Sequence, residues 1–201
     1  MPAPIEFYFD FSSPYSYVAS EQIEDLAARF NRTVRYKPIL LGAIFKVAGS
    51  APLTELYAPK ARYSVRDFAR SAHCAGVPYQ HPSRFPIASL AAKRGVVWLQ
   101  QHRPELAVPF IHAVYRAFFV DDRDISDAAV VGAIAREVGI DPDEFAAGVQ
   151  DLKTKERLKS EVDEAIAAGV FGAPAIVVDG ELFWGNDRLP QVERWLEKGP
   201  Y

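Results

Sequence analysis

The residues best placed to do chemistry lie in Asp10-Phe11-Ser12-Ser13-Pro14-Tyr15-Ser16-Tyr17, near the start of a 201-residue chain. Pro14 has the position of a first helical residue, which puts the Ser13 hydroxyl at a helix N-terminus. A hydroxyl there stands beside unpaired backbone N–H groups and the positive end of the helix dipole. Such an environment stabilises a thiolate. The segment has no thiol of its own, so a ligand would have to bring the sulfur. Ser13 Oγ would then donate a hydrogen bond to the sulfur anion and lower its pKa. The plainer alternative is that Ser-Pro at N-cap and N1 only starts a helix.

Two further segments carry candidate binding groups. Gly169-Val170-Phe171-Gly172-Ala173-Pro174-Ala175 runs directly into an apolar strand. Only ~5–6% of X–Pro bonds are cis, so Pro174 alone reads as a trans turn proline. Gly185-Asn186-Asp187-Arg188 reads as a helix cap. The same amide, carboxylate and helix dipole also suit the α-amino and α-carboxylate groups of a γ-glutamyl ligand.

Other chemistry finds little support. The 4 histidines (His73, His81, His102 and His112) have no ligand at metal-site spacing, so no metal is expected. Cys74 is the only cysteine, which excludes an intrachain disulfide and any dithiol motif. It falls in a helix that reads as amphipathic, and a buried Cys is inert. Neither a Gly-rich phosphate loop nor a Gly-x-Ser-x-Gly elbow is present.

The elements that must position these residues follow from periodicity. Ile5, Phe7 and Phe9 alternate with Glu6 and Tyr8 as in a strand, and Tyr17, Val18, Ile23, Leu26 and Phe30 then recur at helical spacing. Thr33 to Pro38 reads as a second strand, giving β-α-β with parallel strands. From about Leu41 to Lys155 the pattern is helical, punctuated by Gly49-Ser50-Ala51-Pro52, Ala58-Pro59 and the loop from Pro78 to Pro86. Ser64 with Asp67 resembles a capping box. Pro109 lies inside a helical pattern that Pro104 opens, where it would kink the helix or shift its start. Asp127 and Asp141-Pro142 begin two short helices, and a longer one ends at Gly169. Ala175 to Val178 and Glu181 to Trp184 flank an Asp179-Gly180 hairpin turn. Asn186-Asp187 then cap a last helix.

A β-α-β unit, a helical block and a β-β-α unit describe an α/β chain: a thioredoxin fold with an inserted all-helical domain. The expected division is 1–45 plus 170–201 for the thioredoxin-like part and 46–169 for the insertion. In that fold Cys-Pro-x-Cys occupies the first helix start. Here Ser13-Pro14-Tyr15-Ser16 stands in its place, which removes disulfide exchange at this site. The same fold makes Pro174 a cis-proline facing the helix start.

Composition agrees with an ordinary folded protein. With 49% hydrophobic residues the chain can bury a core, and 13 Phe, 9 Tyr and 3 Trp can also line an apolar pocket. Net charge is −3, with no basic run, so nucleic acid is an unexpected partner. No apolar run approaches the roughly 20 residues of a membrane span. The start of the chain lacks the regions of a secretion signal, and a single thiol suits a reducing compartment. The expectation is a cytoplasmic protein without membrane contact.

Taken together, Phe9 to Tyr17, Phe171-Gly172-Ala173-Pro174 and Trp184-Gly185-Asn186-Asp187-Arg188-Leu189 resemble the 2-hydroxychromene-2-carboxylate isomerases. Kappa-class glutathione transferases are similar too. The resemblance spans nearly the whole chain, including Pro38 to Lys46 and Pro59 to Tyr63. It implies a homodimer with glutathione as cofactor between the two domains. It places Ser13 at the glutathione sulfur, Ala173 and Pro174 against the cysteinyl backbone, and Asn186, Asp187 and Arg188 at the γ-glutamyl end. Lys60 is placed near the glutathione carboxylate. One departure falls in Gly49-Ser50-Ala51-Pro52, where the kappa pattern has Asn and this chain has Ser50, a shorter side chain without an amide.

The leading expectation is glutathione-dependent cis–trans isomerisation of 2-hydroxychromene-2-carboxylate or a related aromatic keto acid in aromatic catabolism. Lys37, Arg62 or Arg84 would hold the substrate carboxylate. The alternatives are a kappa-like transferase or peroxidase that consumes glutathione, and a non-catalytic glutathione-binding module.

Overall fold

The aromatic alternation of the first strand organises the molecule. In the computed structural model, which describes residues 2–201, β1 (Ile5–Phe9) is central in a four-stranded sheet of order β2-β1-β3-β4. It pairs in parallel with β2 (Val34–Pro38), Phe7 opposite Tyr36. On its other side it pairs antiparallel with β3 (Ala175–Val178), Phe7 opposite Ile176. The hairpin to β4 (Glu181–Trp184) turns at Asp179 and Gly180, both at positive φ, which is the geometry of the tight turn that Asp-Gly favours. Because β1 is flanked on both edges and covered on both faces, only Glu6 on it is half-buried rather than buried.

Each face of the sheet has its own cover. Ile5, Phe7, Phe9, Tyr36 and Ile176 pack against α1 (Pro14–Arg29) and continue into the helical segment in one core. Tyr8, Ala175 and Val170 face the other way, with Ile44 of α2 (Leu41–Ala48) and Ala165 of α8 (Leu152–Ala167).

Between β2 and β3 the chain is helical: after α2 come α3 (Ala58–Cys74), α4 (Leu90–His102), α5 (Pro104–Phe119), α6 (Ala128–Glu137), α7 (Pro142–Gln150) and α8. Asp127, Asp141 and Asp151 each accept backbone N–H bonds as N-caps of α6, α7 and α8, which explains how short helices begin crisply here. The chain closes with a short 3₁₀ turn at Asn186–Arg188 and α9 (Leu189–Lys198).

Several local expectations change. Ser64 does not cap a helix: α3 already starts at Ala58 with Pro59 in its first turn, and Ser64 Oγ donates back to the Lys60 carbonyl at 2.9 Å. Pro in a first turn sacrifices no helical bond, which makes the earlier start cheap. Pro109 does not shift the start of its helix, for α5 runs through it from Pro104 to Phe119. Asn186 and Asp187 do not cap α9. They form the 3₁₀ turn, and Arg188 precedes α9 with no side-chain cap. Cys74 is exposed at the last residue of α3, not buried in its apolar stripe.

Candidate active site

The start of α1 is built as its sequence suggests. Ser13 is the N-cap in extended conformation, its Oγ accepts from Ser16 N at 3.1 Å, and Pro14 opens the helix. Ser13 is buried, and its hydroxyl donates at 3.1 Å to the carbonyl of Ala173, two residues before β3. That carbonyl precedes Pro174, and the Ala173–Pro174 bond is cis. The Pro174 carbonyl in turn accepts from Gly185 N at 3.0 Å. Gly185 has φ +114°, a backbone state that side chains disfavour, so glycine is required there. Two hydrogen bonds therefore bring the helix start, the proline turn and the 185–188 segment together, though Ser13 and Ala173 are 160 residues apart in sequence.

Asn186 and Asp187 line a groove between α1, α3 and α9, whose walls include Gln22, Asp67, Arg70 and Cys74. Asp187 is exposed and accepts from Arg188 Nη1 at 3.0 Å. Ser13, Ala173, Pro174, Asn186, Asp187 and Arg188 thus share one region. Lys60 and Ser50 are exposed, on α3 and just past α2. Lys60 is about two helical turns, roughly 10 Å, before Asp67 along α3. Neither side chain bonds to the residues around Ser13.

Of the three basic residues considered for the substrate carboxylate, two are engaged elsewhere. Lys37 pairs with Glu6 at 2.8 Å and donates to Tyr8 Oη. Burial opposes its charge, but those partners hold its pKa above the usual lysine value. Arg84 pairs with Asp124 at 2.5 Å. Arg62, exposed on α3, has no ion pair among the described residues.

Sequence reasoning missed three contacts that hold the site. Tyr15, between the two serines, donates to Asp67 Oδ2 at 2.6 Å, and its ring meets Phe68 edge-on at 5.1 Å. Burial, with the Asp67 carboxylate, pushes the Tyr15 phenol well up, so it acts as a donor at neutral pH. Ser12 Oγ accepts from Ile87 N at 3.0 Å, fastening the loop that precedes α4 to the site. Asp10, just past β1, is buried and paired at 2.6 Å with Lys93 of α4. One sign of this pair is visible in sequence: Lys93 interrupts the apolar stripe of Ala92, Val96 and Val97.

No group of three or more His, Cys, Asp or Glu among the described residues is placed to hold a metal. His81 sits in an aromatic cluster with Phe68 and Phe85, where burial lowers its pKa. No described helix is long and apolar enough to cross a membrane.

Comparison with known proteins agrees with this geometry. Residues 4–197 match the family described as the DSBA-like thioredoxin domain. The chain is 32% identical over 197 residues to 2-hydroxychromene-2-carboxylate isomerase of Sphingobium xenophagum, covering 98% of this chain and 99% of that one. It is 27% identical to glutathione S-transferase kappa 2 of Caenorhabditis elegans, over 98% of this chain and 94% of that one. A solved 2-hydroxychromene-2-carboxylate isomerase superposes with a TM-score of 0.86 at 26% identity, covering 96% of this chain and 94% of that one. The chain belongs to the DsbA-like thioredoxin family, in the branch of the 2-hydroxychromene-2-carboxylate isomerases and kappa-class glutathione transferases.

Proposed function

We propose that the protein is a glutathione-dependent isomerase that acts on 2-hydroxychromene-2-carboxylate or a related aromatic keto acid, interconverting cis and trans forms about the double bond of the ring-opened species. One observation carries the reading: a buried serine hydroxyl, and no cysteine, caps α1 opposite the carbonyl that precedes a cis-proline. Neither Ser13 nor Ser16 can take part in disulfide exchange, yet the positive end of the α1 dipole remains available to a sulfur anion. Isomerase relatives at up to 32% identity support the reaction class.

The residues present fit glutathione. Ser13 would face its sulfur, Ala173 its cysteinyl backbone, and Asn186 with Asp187 and Arg188 its γ-glutamyl zwitterion. Lys60 and Ser50 are assigned to its remaining polar groups. When bound, glutathione would supply the nucleophilic thiolate that reversible addition to a conjugated double bond requires. Ser13 turns its hydroxyl from the Ala173 carbonyl toward the sulfur and holds it deprotonated, the thiol proton passing to solvent. Turning the hydroxyl also frees the Ala173 carbonyl to accept a ligand N–H. Arg62 is assigned the substrate carboxylate, since Lys37 and Arg84 already have partners. The reading extends to a cytoplasmic homodimer.

Calorimetric titration of wild type and Ser13→Ala with glutathione, in buffers of different ionisation enthalpy, tests the role of Ser13. The expected result is binding with proton release near neutral pH, and loss of that release in Ser13→Ala. Isomerisation of a hydroxychromene carboxylate should fall at least tenfold in the variant. Full turnover by Ser13→Ala at saturating glutathione would rule the serine out.

The kappa relatives favour one second reading, a transferase that consumes glutathione. Stoichiometry separates the two, because an isomerase leaves total glutathione constant as product accumulates.

A further inference from the structure

Beneath the loop that carries Ser13 lies an ion pair outside the mechanism above. The side chains of Asp10 and Lys93 are 4% and 5% exposed, with Nζ 2.6 Å from Oδ2. Asp10 follows β1. Lys93 comes from the start of α4, in the helical segment between β2 and β3. Its position is unfavourable for a cation, since the first turn of a helix is the positive end of its dipole. Apolar residues of similar volume would hold α4 to the sheet at least as well as a buried pair does. Packing therefore does not require these charges.

What the pair supplies is polar geometry and local neutrality. Three donors converge on the Asp10 carboxylate: Ser12 N at 2.8 Å, Leu41 N at 2.9 Å and Lys93 Nζ. The Asp10 carbonyl accepts from Ser13 N at 2.9 Å and from Tyr115 Oη at 3.3 Å. The peptides on either side of Ser12 are thus hung from one residue, and with them the hydroxyl at the start of α1. A lone buried carboxylate so near Ser13 would oppose any anion gathered there.

We infer that Asp10 and Lys93 form a positioning pair for Ser13: Asp10 orients the loop, and Lys93 cancels the carboxylate so that an anion at Ser13 meets the α1 dipole unopposed. The inference rests on the reading of Ser13 as an anion-stabilising group. The two charges act with opposite sign. Removing Lys93 leaves a negative charge under the site and disfavours an anion, whereas removing Asp10 leaves a positive one and favours it. A pair that only held the fold together would shift both variants the same way.

The test needs no glutathione. Ser13→Cys in a Cys74→Ser background places a single thiol at the helix start, and its pKa is read from thiolate absorbance. A unit charge within about 10 Å shifts such a pKa by about one unit or more at an effective dielectric of about 20. Adding Lys93→Met should raise the thiol pKa by about one unit, and adding Asp10→Asn should lower it by about as much. The two together should return it to within about 0.3 unit of the parent. Circular dichroism checks folding first. If Lys93→Met does not fold, Lys93→Gln removes the same charge while keeping a hydrogen-bond donor for Asp10, and is read instead. Shifts in one direction for both variants, or shifts below about 0.3 unit in folded protein, overturn the inference. Calorimetry on the unaltered protein separates this from the cofactor reading. Ordered thiol shifts without glutathione binding would keep the pair and remove the cofactor, and binding with a flat thiol pKa would do the reverse.

Discussion

The Ser13 hydroxyl is already satisfied, accepting from Ser16 N and donating to the Ala173 carbonyl. Binding an anion therefore costs one neutral hydrogen bond and gains a charge-assisted one, about twice as strong. Tyr15 is the neighbour that fixes which way this turn faces, through Asp67. Tyr15→Phe keeps the ring on Phe68 and deletes the hydrogen bond, leaving Asp67 with Arg70 at 3.5 Å. The expected loss is about 1–2 kcal/mol of stability by urea denaturation, with a larger loss for Tyr15→Ala, which also removes the aromatic contact. At this scale the sequence was legible where a rule is local. Ser13 could be identified because Pro14 marks the first turn beside it. Asp67 was assigned to Ser64, three residues away, and its partner proved to be Tyr15, 52 residues away. No spacing rule reaches that far, and Asp10 with Lys93, 83 residues apart, escaped for the same reason.

The strands and α1 were read correctly because alternation and turn chemistry there agree with burial on both faces of the sheet. Errors gathered at helix ends: Ala58-Pro59 was read as a break and Ser64 as a cap, yet α3 starts at Ala58. The close approach of α4 to α7 was not legible either, since a glycine inside a helical pattern does not name its neighbour. A Cβ on Gly148 of α7 would stand 2.4 Å from the Trp98 indole, and one on Gly95 of α4 would stand 2.6 Å from the Phe145 ring. Trp98 and Phe145 are both buried, so neither ring can swing into solvent. Helix propensity favours alanine over glycine by about 1 kcal/mol, whereas overpacking a core costs about 1–3 kcal/mol. Overpacking wins when the blocked rings cannot move. Gly148→Ala and Gly95→Ala should each lower the denaturation midpoint despite better intrinsic helicity. Gly95→Ala has a second consequence, because it displaces the helix that presents Lys93 to Asp10.

At the scale of the whole molecule, α1 must stay seated against both the sheet and α5, since it carries Ser13 at one end. A polar clasp at the middle of the helix does part of this. His112 of α5 stands between Glu21 and Glu24 of α1, with Nδ1 2.9 Å from Glu21 and Nε2 3.5 Å from Glu24. Tyr36 of β2 donates to the same Glu24 at 3.2 Å. Burial alone would depress the His112 pKa, but the two carboxylates outweigh it and push it up to about 9. Glu24 is correspondingly lowered, chiefly by its hydrogen bond to His112. A histidine pKa raised on folding adds stability that is fully present below the unfolded value of about 6.5. That contribution shrinks as pH rises and is gone once pH passes about 9. On the acid side the clasp fails as the carboxylates protonate. After a discount for partial exposure, the contribution at pH 6 is about 1–2 kcal/mol. In a chain of this size that is roughly 2–6 °C in melting temperature. His112→Gln should therefore melt below wild type by that margin at pH 6, and the two melting curves should converge by about pH 9.5. A gap that persisted unchanged to pH 10 would show that His112 acts by packing on Tyr36, and that no charge couples α5 to the helix bearing Ser13.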